Sequence, residues 1–418
     1  MPSFITFVFL IIVVINALPL LKKDKRTTWN YFRASGTLVI VLVASIAITN
    51  LILSPFIGAL IVAIGIIFME RSVYTKWGLI SVGSIALIVG SLAYFAFRED
   101  TQYVVDHLSE DENSSMYVAE NGEVLVNRQA DEQRPLASTV KIVVAAAYAE
   151  EVATGEIDPD EAVALEDLER FHMENTDGGA HPLWLDQLVN ENEGTVSLQE
   201  VVEGMIVFSS NANTDYLIET IGIESINERL ETWGVTEHDP VYPLVSPLLM
   251  LEDIGEEAAS LSMEDYRSQV ETYHEAIVQG EFAAGEEDFT LSMDEQRMWS
   301  DRLPAATAAS YGEWLHDIQT GEWSNEEAAA ILMDILEAGT ADIEGVESFG
   351  QKGGSTAFVL NQAMYATTED GNAMELVVFN DDLSWWQSFK LGRNLSIFIE
   401  QFFEDKTFRE ETIEAIAD

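Results

Sequence analysis

The feature that most limits what this chain can become is where its charges stop. Residues 36–69 run for 34 positions without a charged side chain, and residues 4–21 and 77–97 are two further uncharged runs. Residues 1–98 hold eight Lys and Arg against two acids, a net of +6, whereas residues 99–418 hold 70 acids against 13 bases, a net of −57. As one helix, the 34-residue run would be about 50 Å long against a hydrocarbon core of about 30 Å. It is expected to fold back between Asn50 and Pro55. Residues 1–98 therefore read as a transmembrane anchor of about four helices. Lys22, Lys23, Lys25, Arg26 and Arg33 mark one loop as cytoplasmic, and Arg71 and Lys76 mark another, which places residues 99–418 outside the cell. The basic cluster follows the first apolar run instead of preceding it, which argues against a cleaved signal and leaves a signal anchor as the alternative.

The composition of the acidic part excludes several functions. A net of −57 repels phosphate backbones, so no nucleic-acid partner is expected. The absence of cysteine removes disulfides, thiolate zinc sites and a cysteine nucleophile. His107, His172, His181, His238, His274 and His316 form no His-x-x-x-His or His-x-His pair, so a zinc hydrolase is not indicated. His172 and His181 read as part of a polar loop. No calcium-loop spacing and no Gly-x-Ser-x-Gly elbow occur. No metal and no cofactor is expected.

Residues 99–114 read as an acidic linker and 406–418 as an acidic tail. Between them the pattern is α/β (α+β). Residues 115–127 are two β-rich runs about a Glu120-Asn121-Gly122 turn. Residues 138–151 are apolar on nearly all faces and predict a buried helix. Residues 197–206 and 213–220 predict helices joined at 209–211, and 307–336 is mostly helical. Ser262 and Ser292, each three residues before an acid, read as helix caps. Residues 357–367 and 373–380 alternate as strands, and 384–404 is an amphipathic closing helix. Strands at both ends with helices between predict an antiparallel sheet built from both ends of the domain, with a helical middle.

Three short motifs carry chemistry. Ser138-Thr139-Val140-Lys141 places Lys141 one helical turn from Ser138, so the amine can reach the hydroxyl at a helix start that favours an oxyanion. The plain structural alternative is a capping serine beside a surface lysine, but only four lysines fall in residues 99–418: Lys141, Lys352, Lys390 and Lys406. Ser209-Ser210-Asn211 sits between two helices, where a hydroxyl can relay a proton and an amide can hold a substrate amide; alone, it reads equally as a cap. Lys352-Gly353-Gly354-Ser355 enters a strand with glycines that let a substrate backbone lie close and a lysine that answers a carboxylate; its alternative is a glycine turn.

In this order the three motifs resemble those of the penicillin-interacting serine hydrolases of the β-lactamase/D,D-peptidase fold, nearest to class A β-lactamases. Arg134-Pro135-Leu136-Ala137, Thr195-Val196-Ser197-Leu198-Gln199-Glu200 and Asn213-Thr214-Asp215-Tyr216-Leu217-Ile218-Glu219 extend the likeness over roughly residues 115–405. The resemblance implies that Ser138 is the acylated nucleophile, Lys141 its proton-handling partner and Ser209 a proton relay. It makes Lys352 the carboxylate-binding lysine and Asn211, Gly354 and Ser355 substrate-binding positions, with the N–H groups of Ser138 and Ser355 as the oxyanion hole. The chain departs from the family in having no Glu-x-x-Leu-Asn loop. Its 239–304 segment is long and acidic, and Glu252, Glu256 and Glu257 are the nearest candidates for a deacylating base. Ser210 stands where class A has Asp, and Gly353 where it has Thr or Ser.

Three readings follow: a membrane-anchored enzyme that hydrolyses β-lactams through a Ser138 acyl-enzyme, a cell-wall D,D-carboxypeptidase or transpeptidase acting on D-Ala-D-Ala-type peptides, or a non-catalytic acylatable sensor. The sensor is disfavoured because the His-Glu-x-x-His of such receptors is missing. The acidic excess suits a halophilic or haloalkaliphilic habitat. It also predicts that Lys141 stays protonated by the surrounding field, so that acylation quickens with salt or alkaline pH.

Overall fold

The computed structural model describes residues 94–418 except 175, 189–193, 236, 282–290 and 418, and of residues 1–93 chiefly 17–22 and 27–49. The chain divides into two compact units, Met1–Arg98 and Glu99–Asp418. In the first, helix α1 (Thr28–Thr49) carries Thr28, Asn30, Arg33, Ser35 and Thr37 in its opening turns. Among the described residues no helix is long and apolar enough to cross a membrane. The expected N-terminal bundle of transmembrane helices is thereby corrected, and the runs 4–21, 36–69 and 77–97 that suggested it fall largely outside the described residues.

The second unit is organised by one sheet. Its strands include β1 (Ser114–Glu120), β2 (Glu123–Arg128), β3 (Gln133–Pro135), β4 (Ala305–Thr307), β5 (Val346–Ser355), β6 (Leu360–Thr368) and β7 (Ala373–Asn380). Five of them pair antiparallel in the order β2-β1-β7-β6-β5, and β3 pairs separately with β4. Both ends of the unit thus contribute to the sheet. Asn121 and Gly122, at φ 51° and 77°, make the left-handed turn a two-residue hairpin demands.

Side chains alternate across the strands with period two, and each set finds its own core. Tyr117, Ala119, Ala363, Tyr365, Val377 and Phe379 face the helical middle, whereas Met116, Val118, Met364, Ala366, Leu376 and Val378 face the terminal helices. Within the helical middle, α2 (Lys141–Thr154) is buried along Ile142–Ala149. A helix apolar on all sides is stable only when surrounded, and α2 is the post around which the middle packs.

Two boundary expectations change. Residues 99–114 contain a helix, Thr101–Glu110, whose Val104, Val105 and Leu108 are buried in the second core, so they are no linker. Residues 406–418 contain a helix, Lys406–Ala417, that packs on it and on β2 with Thr412 and Ile416 buried. In both, a few apolar side chains at helical spacing outweigh an acidic composition. The 239–304 segment builds a satellite cluster around Tyr242, Met250, Leu251, Tyr266 and Val270. Its helices start where the serines predict: Ser262 accepts from Asp265 N–H, and Ser292 forms a capping box with Glu295.

Candidate active site

The turn that presents Ser138 is made by its neighbours. Leu136 N–H bonds Pro304 O, and the buried Asn361 of β6 donates its amide to Pro135 O (2.7 Å) and Leu136 O (3.2 Å). Clamped this way, the chain passes through Ala137 at φ 48°, a left-handed conformation that costs a residue with a Cβ on the order of 1 kcal/mol. A 3-10 turn, Ala137–Val140, follows before α2 begins at Lys141. The helix expected from Ser138 therefore starts one turn later, and Ser138 stands half-buried on the turn, in the wall of a cavity of about 540 Å³.

β5 closes on that turn through Gly354. A Cβ there would lie 2.5 Å from Leu136 O and 2.7 Å from the amide nitrogens of Ser138 and Thr139, all backbone atoms that cannot yield. Gly354→Ala should therefore part β5 from the Ser138 turn. We expect acylation to fall about 100-fold or more and the melting midpoint to drop by several degrees, through the strain mechanisms of overpacking. Labelling kinetics and a thermal melt check both, and a wild-type rate in that variant would show that the close approach is dispensable.

Ser209 enters from the other side. The residues before it, Gly204–Phe208, form a π-turn that fits only because Gly204 lacks a Cβ, which would sit 2.4 Å from Asn213 Nδ2 and 2.6 Å from Trp184 Nε1. Ser209 itself takes φ 70°, and Ser210 then caps the helix Asn211–Ile221. The Ser210 hydroxyl is 3.0 Å from Nδ1 of the buried His181. His181, expected in a polar loop, instead lies in the helix Ala180–Leu188, and burial, then the neighbouring His172, pushes its pKa down to about 4. At neutral pH it is an uncharged support for the motif.

The three motifs converge on Ser209. Lys141 Nζ donates to Ser209 O (2.5 Å), Ser209 Oγ (3.2 Å) and Asn211 Oδ1 (2.8 Å), and Lys352 Nζ donates to Ser209 Oγ (3.1 Å) and Gly353 O (2.9 Å). Both lysines are buried. Burial foremost, then the charge of Lys352, holds Lys141 well below the ordinary lysine value, against opposing pulls from Asp177 and Asp215. Burial alone lowers Lys352 to about 7. The acidic field predicted from composition is thus outweighed locally at Lys141. Asn211 turns its amide oxygen to Lys141, leaving the NH2 end for a substrate carbonyl.

Ser138, Ser209, Asn211, Lys352, Gly354 and Ser355 all line the cavity, with Lys141 directly behind Ser209. The candidate bases fare differently: Glu252 and Glu257 are exposed and are not among the described lining residues, and the Glu256 side chain lies outside the described residues. The 239–304 segment supplies an apolar wall instead, Leu244, Leu248, Leu291, Trp299 and Leu303. Asp177 is the carboxylate among the described lining residues, and it already accepts the N–H groups of Gly179, Ala180 and His181 at 3.0–3.1 Å. Sequence reasoning missed Asp177, Asn361 and His181. A polar Asn361 inside an otherwise alternating strand was the one signal available for any of them.

Comparison with known proteins agrees with this geometry. A class A β-lactamase from Bacteroides cellulosilyticus is similar at 16% identity over 75% of this chain and 99% of that one, with a TM-score of 0.50, which supports a common fold. A β-lactamase from Sphaerobacter thermophilus (16% identity, 72% and 95% covered, TM-score 0.48) and PBP-A (17%, 73% and 95%, 0.46) are further neighbours. No match is found among curated proteins. The profile described as the β-lactamase enzyme family spans residues 97–394, the stretch that holds the sheet, the buried helix and all three motifs. With the profile covering most of its length, the chain belongs to the β-lactamase enzyme family and is a penicillin-interacting serine hydrolase.

Proposed function

We propose that the 99–418 unit opens β-lactams by acylation of Ser138 and hydrolyses the acyl-enzyme, working outside the cell. The observation that carries this reading is Ser209 Oγ held between two amines of lowered basicity in the cavity that Ser138 also lines. Lys141, as the neutral amine, takes the Ser138 proton while Oγ bonds the lactam carbonyl carbon. The ring C–N bond breaks, and its nitrogen receives a proton through Ser209. The Ser138 and Ser355 N–H groups hold the oxyanion, the Asn211 NH2 meets the substrate amide, and the Lys352 ammonium meets the carboxylate. Water then cleaves the ester and regenerates Ser138.

A D,D-peptidase acting on cell-wall peptides through the same first step is the second reading. The apolar wall from 239–304 and the prior engagement of Asp177 favour it, because both disfavour a general base for water. Labelling with a fluorescent penicillin followed by a chase separates the two: loss of label within minutes supports the β-lactamase, and label that lasts hours supports the peptidase. Ser138→Ala should abolish the label. Absence of label on the native chain, or equal label on that variant, overturns both.

A further inference from the structure

Gly353 on β5 pairs across the sheet with Gln362 on β6. Register partners send their side chains to the same face, so the room that a side chain at 353 would fill lies open to Gln362. The amide occupies it: a Cβ on Gly353 would stand 2.9 Å from Gln362 Nε2, 3.1 Å from Oε1 and 3.2 Å from Cδ. β5 is the outermost strand of the sheet, and its residues 352–355 line the cavity that Ser138 also lines. Gln362 belongs to the strand behind, yet it lines the same cavity. The missing side chain at Gly353 is what lets this amide lie across β5. Its Oε1 is buried without a hydrogen-bond partner among the described residues. No donor of the fold therefore dictates which way the amide turns, and its NH2 can follow a ligand.

Which group it meets follows from Lys352. A lysine ammonium has three hydrogens, and Lys352 Nζ places two of them on Ser209 Oγ (3.1 Å) and Gly353 O (2.9 Å). One is left for a substrate carboxylate, which offers two oxygens and about four acceptor sites. Among the described lining residues Lys352 is the cation, so the second oxygen has to be met by a neutral donor. Thr356 Oγ1 already accepts the N–H groups of Phe358 and Val359 and is paired with Ser300 Oγ. The Asn211 NH2 is given to the substrate amide in the mechanism above. The Gln362 NH2 lies against Gly353, the residue whose carbonyl Lys352 holds, and can supply the missing bond.

We propose that Gln362 is a substrate-binding residue whose NH2 donates to the carboxylate oxygen that Lys352 leaves unmet, so that the site selects substrates with a free carboxylate. The assignment rests on the reading above that Lys352 meets the substrate carboxylate, and adds the second donor to it. The test compares acylation of the full chain by benzylpenicillin and by its methyl ester. At low concentration the acid-to-ester rate ratio should fall about tenfold or more in Gln362→Glu, whose carboxylate repels that of the substrate, and about fivefold in Gln362→Leu, which keeps the bulk and loses the donor. A ratio cancels any general loss of activity, and a thermal melt checks folding. Gly353→Ala should lower the ratio too, because its Cβ displaces the amide, and adding Gln362→Leu to it should lower it little further. A ratio unmoved in both Gln362 variants overturns the contact, as does a fall confined to Ser355→Ala, which would give the role to that hydroxyl. Calorimetry of benzylpenicillin binding to Ser138→Ala keeps the readings apart. Binding there that weakens about tenfold on adding Gln362→Glu, with a native chain that is never acylated, overturns acyl transfer alone. Acylation of the native chain with ratio and binding unmoved overturns the Gln362 contact alone. Neither binding nor acylation overturns both.

Discussion

Replacing Lys141 by Met should slow acylation of Ser138 by about 10³–10⁴-fold while leaving the fold in place. Methionine matches the length of the lysine stem and suits a buried, apolar-walled position. What it removes is the amine that meets Ser209 O, Ser209 Oγ and Asn211 Oδ1 at once. As an ammonium, Lys141 spends all three hydrogens on those acceptors and has no lone pair for a proton. As the neutral amine it keeps two of them and turns its lone pair toward a hydroxyl. Burial and Lys352 both favour that neutral form. The variant leaves acceptors without a donor, at about 1–3 kcal/mol each, but it also relieves the burial of an ionisable group, so the melting midpoint should move much less than the rate. Stopped-flow labelling with a fluorescent penicillin measures the rate. Acylation at the native rate in Lys141→Met would remove Lys141 from the chemistry and leave Lys352 as the only amine able to serve.

What was legible in the sequence was whatever short range fixes. Lys141 and Lys352 stood out because lysine is scarce in residues 99–418, and both prove to be buried at Ser209. The strand pair 360–380 was visible because alternation with period two writes itself along the chain. Asp177, Asn361 and His181 were not visible: each acts on residues of another element, from the charge of Asp177 on Lys141 to the amide of Asn361 on Leu136, and no spacing encodes such effects. Composition also misled. Acidic stretches at 99–114 and 406–418 suggested solvated segments, yet Val104, Leu108 and Ile416 bury helices there. Likewise the apolar content of residues 1–98 suggested membrane spans that no described helix provides. In each case an average over many residues was read where a few positions decide.

For a substrate bearing a carboxylate, acylation at low concentration should fall as pH rises through about 7, the value to which burial lowers Lys352. Lys352 must be an ammonium to hold the carboxylate, whereas Lys141 must be neutral to take the Ser138 proton. Together the two demands give a bell-shaped profile in the free enzyme. A bound carboxylate raises the Lys352 value, so the rate at saturating substrate should persist to higher pH. Lys352→Arg separates this account from others. A guanidinium stays charged throughout, so the falling limb should move beyond about pH 9 even if the peak is lower. Unfolding cannot imitate the effect. The folded Lys352 value of about 7 lies below the about 10.4 of an unfolded lysine, so between those values the unfolded chain binds more protons and stability rises with pH. Activity should therefore decline across a window in which Lys352 is making the fold more stable. Rates and melts taken from pH 6 to 9 on the native chain and on Lys352→Arg decide the matter. If both chains give the same profile, or if the native rate climbs steadily to pH 9, Lys352 does not bind the carboxylate and loss of the Lys141 proton alone sets the pH dependence.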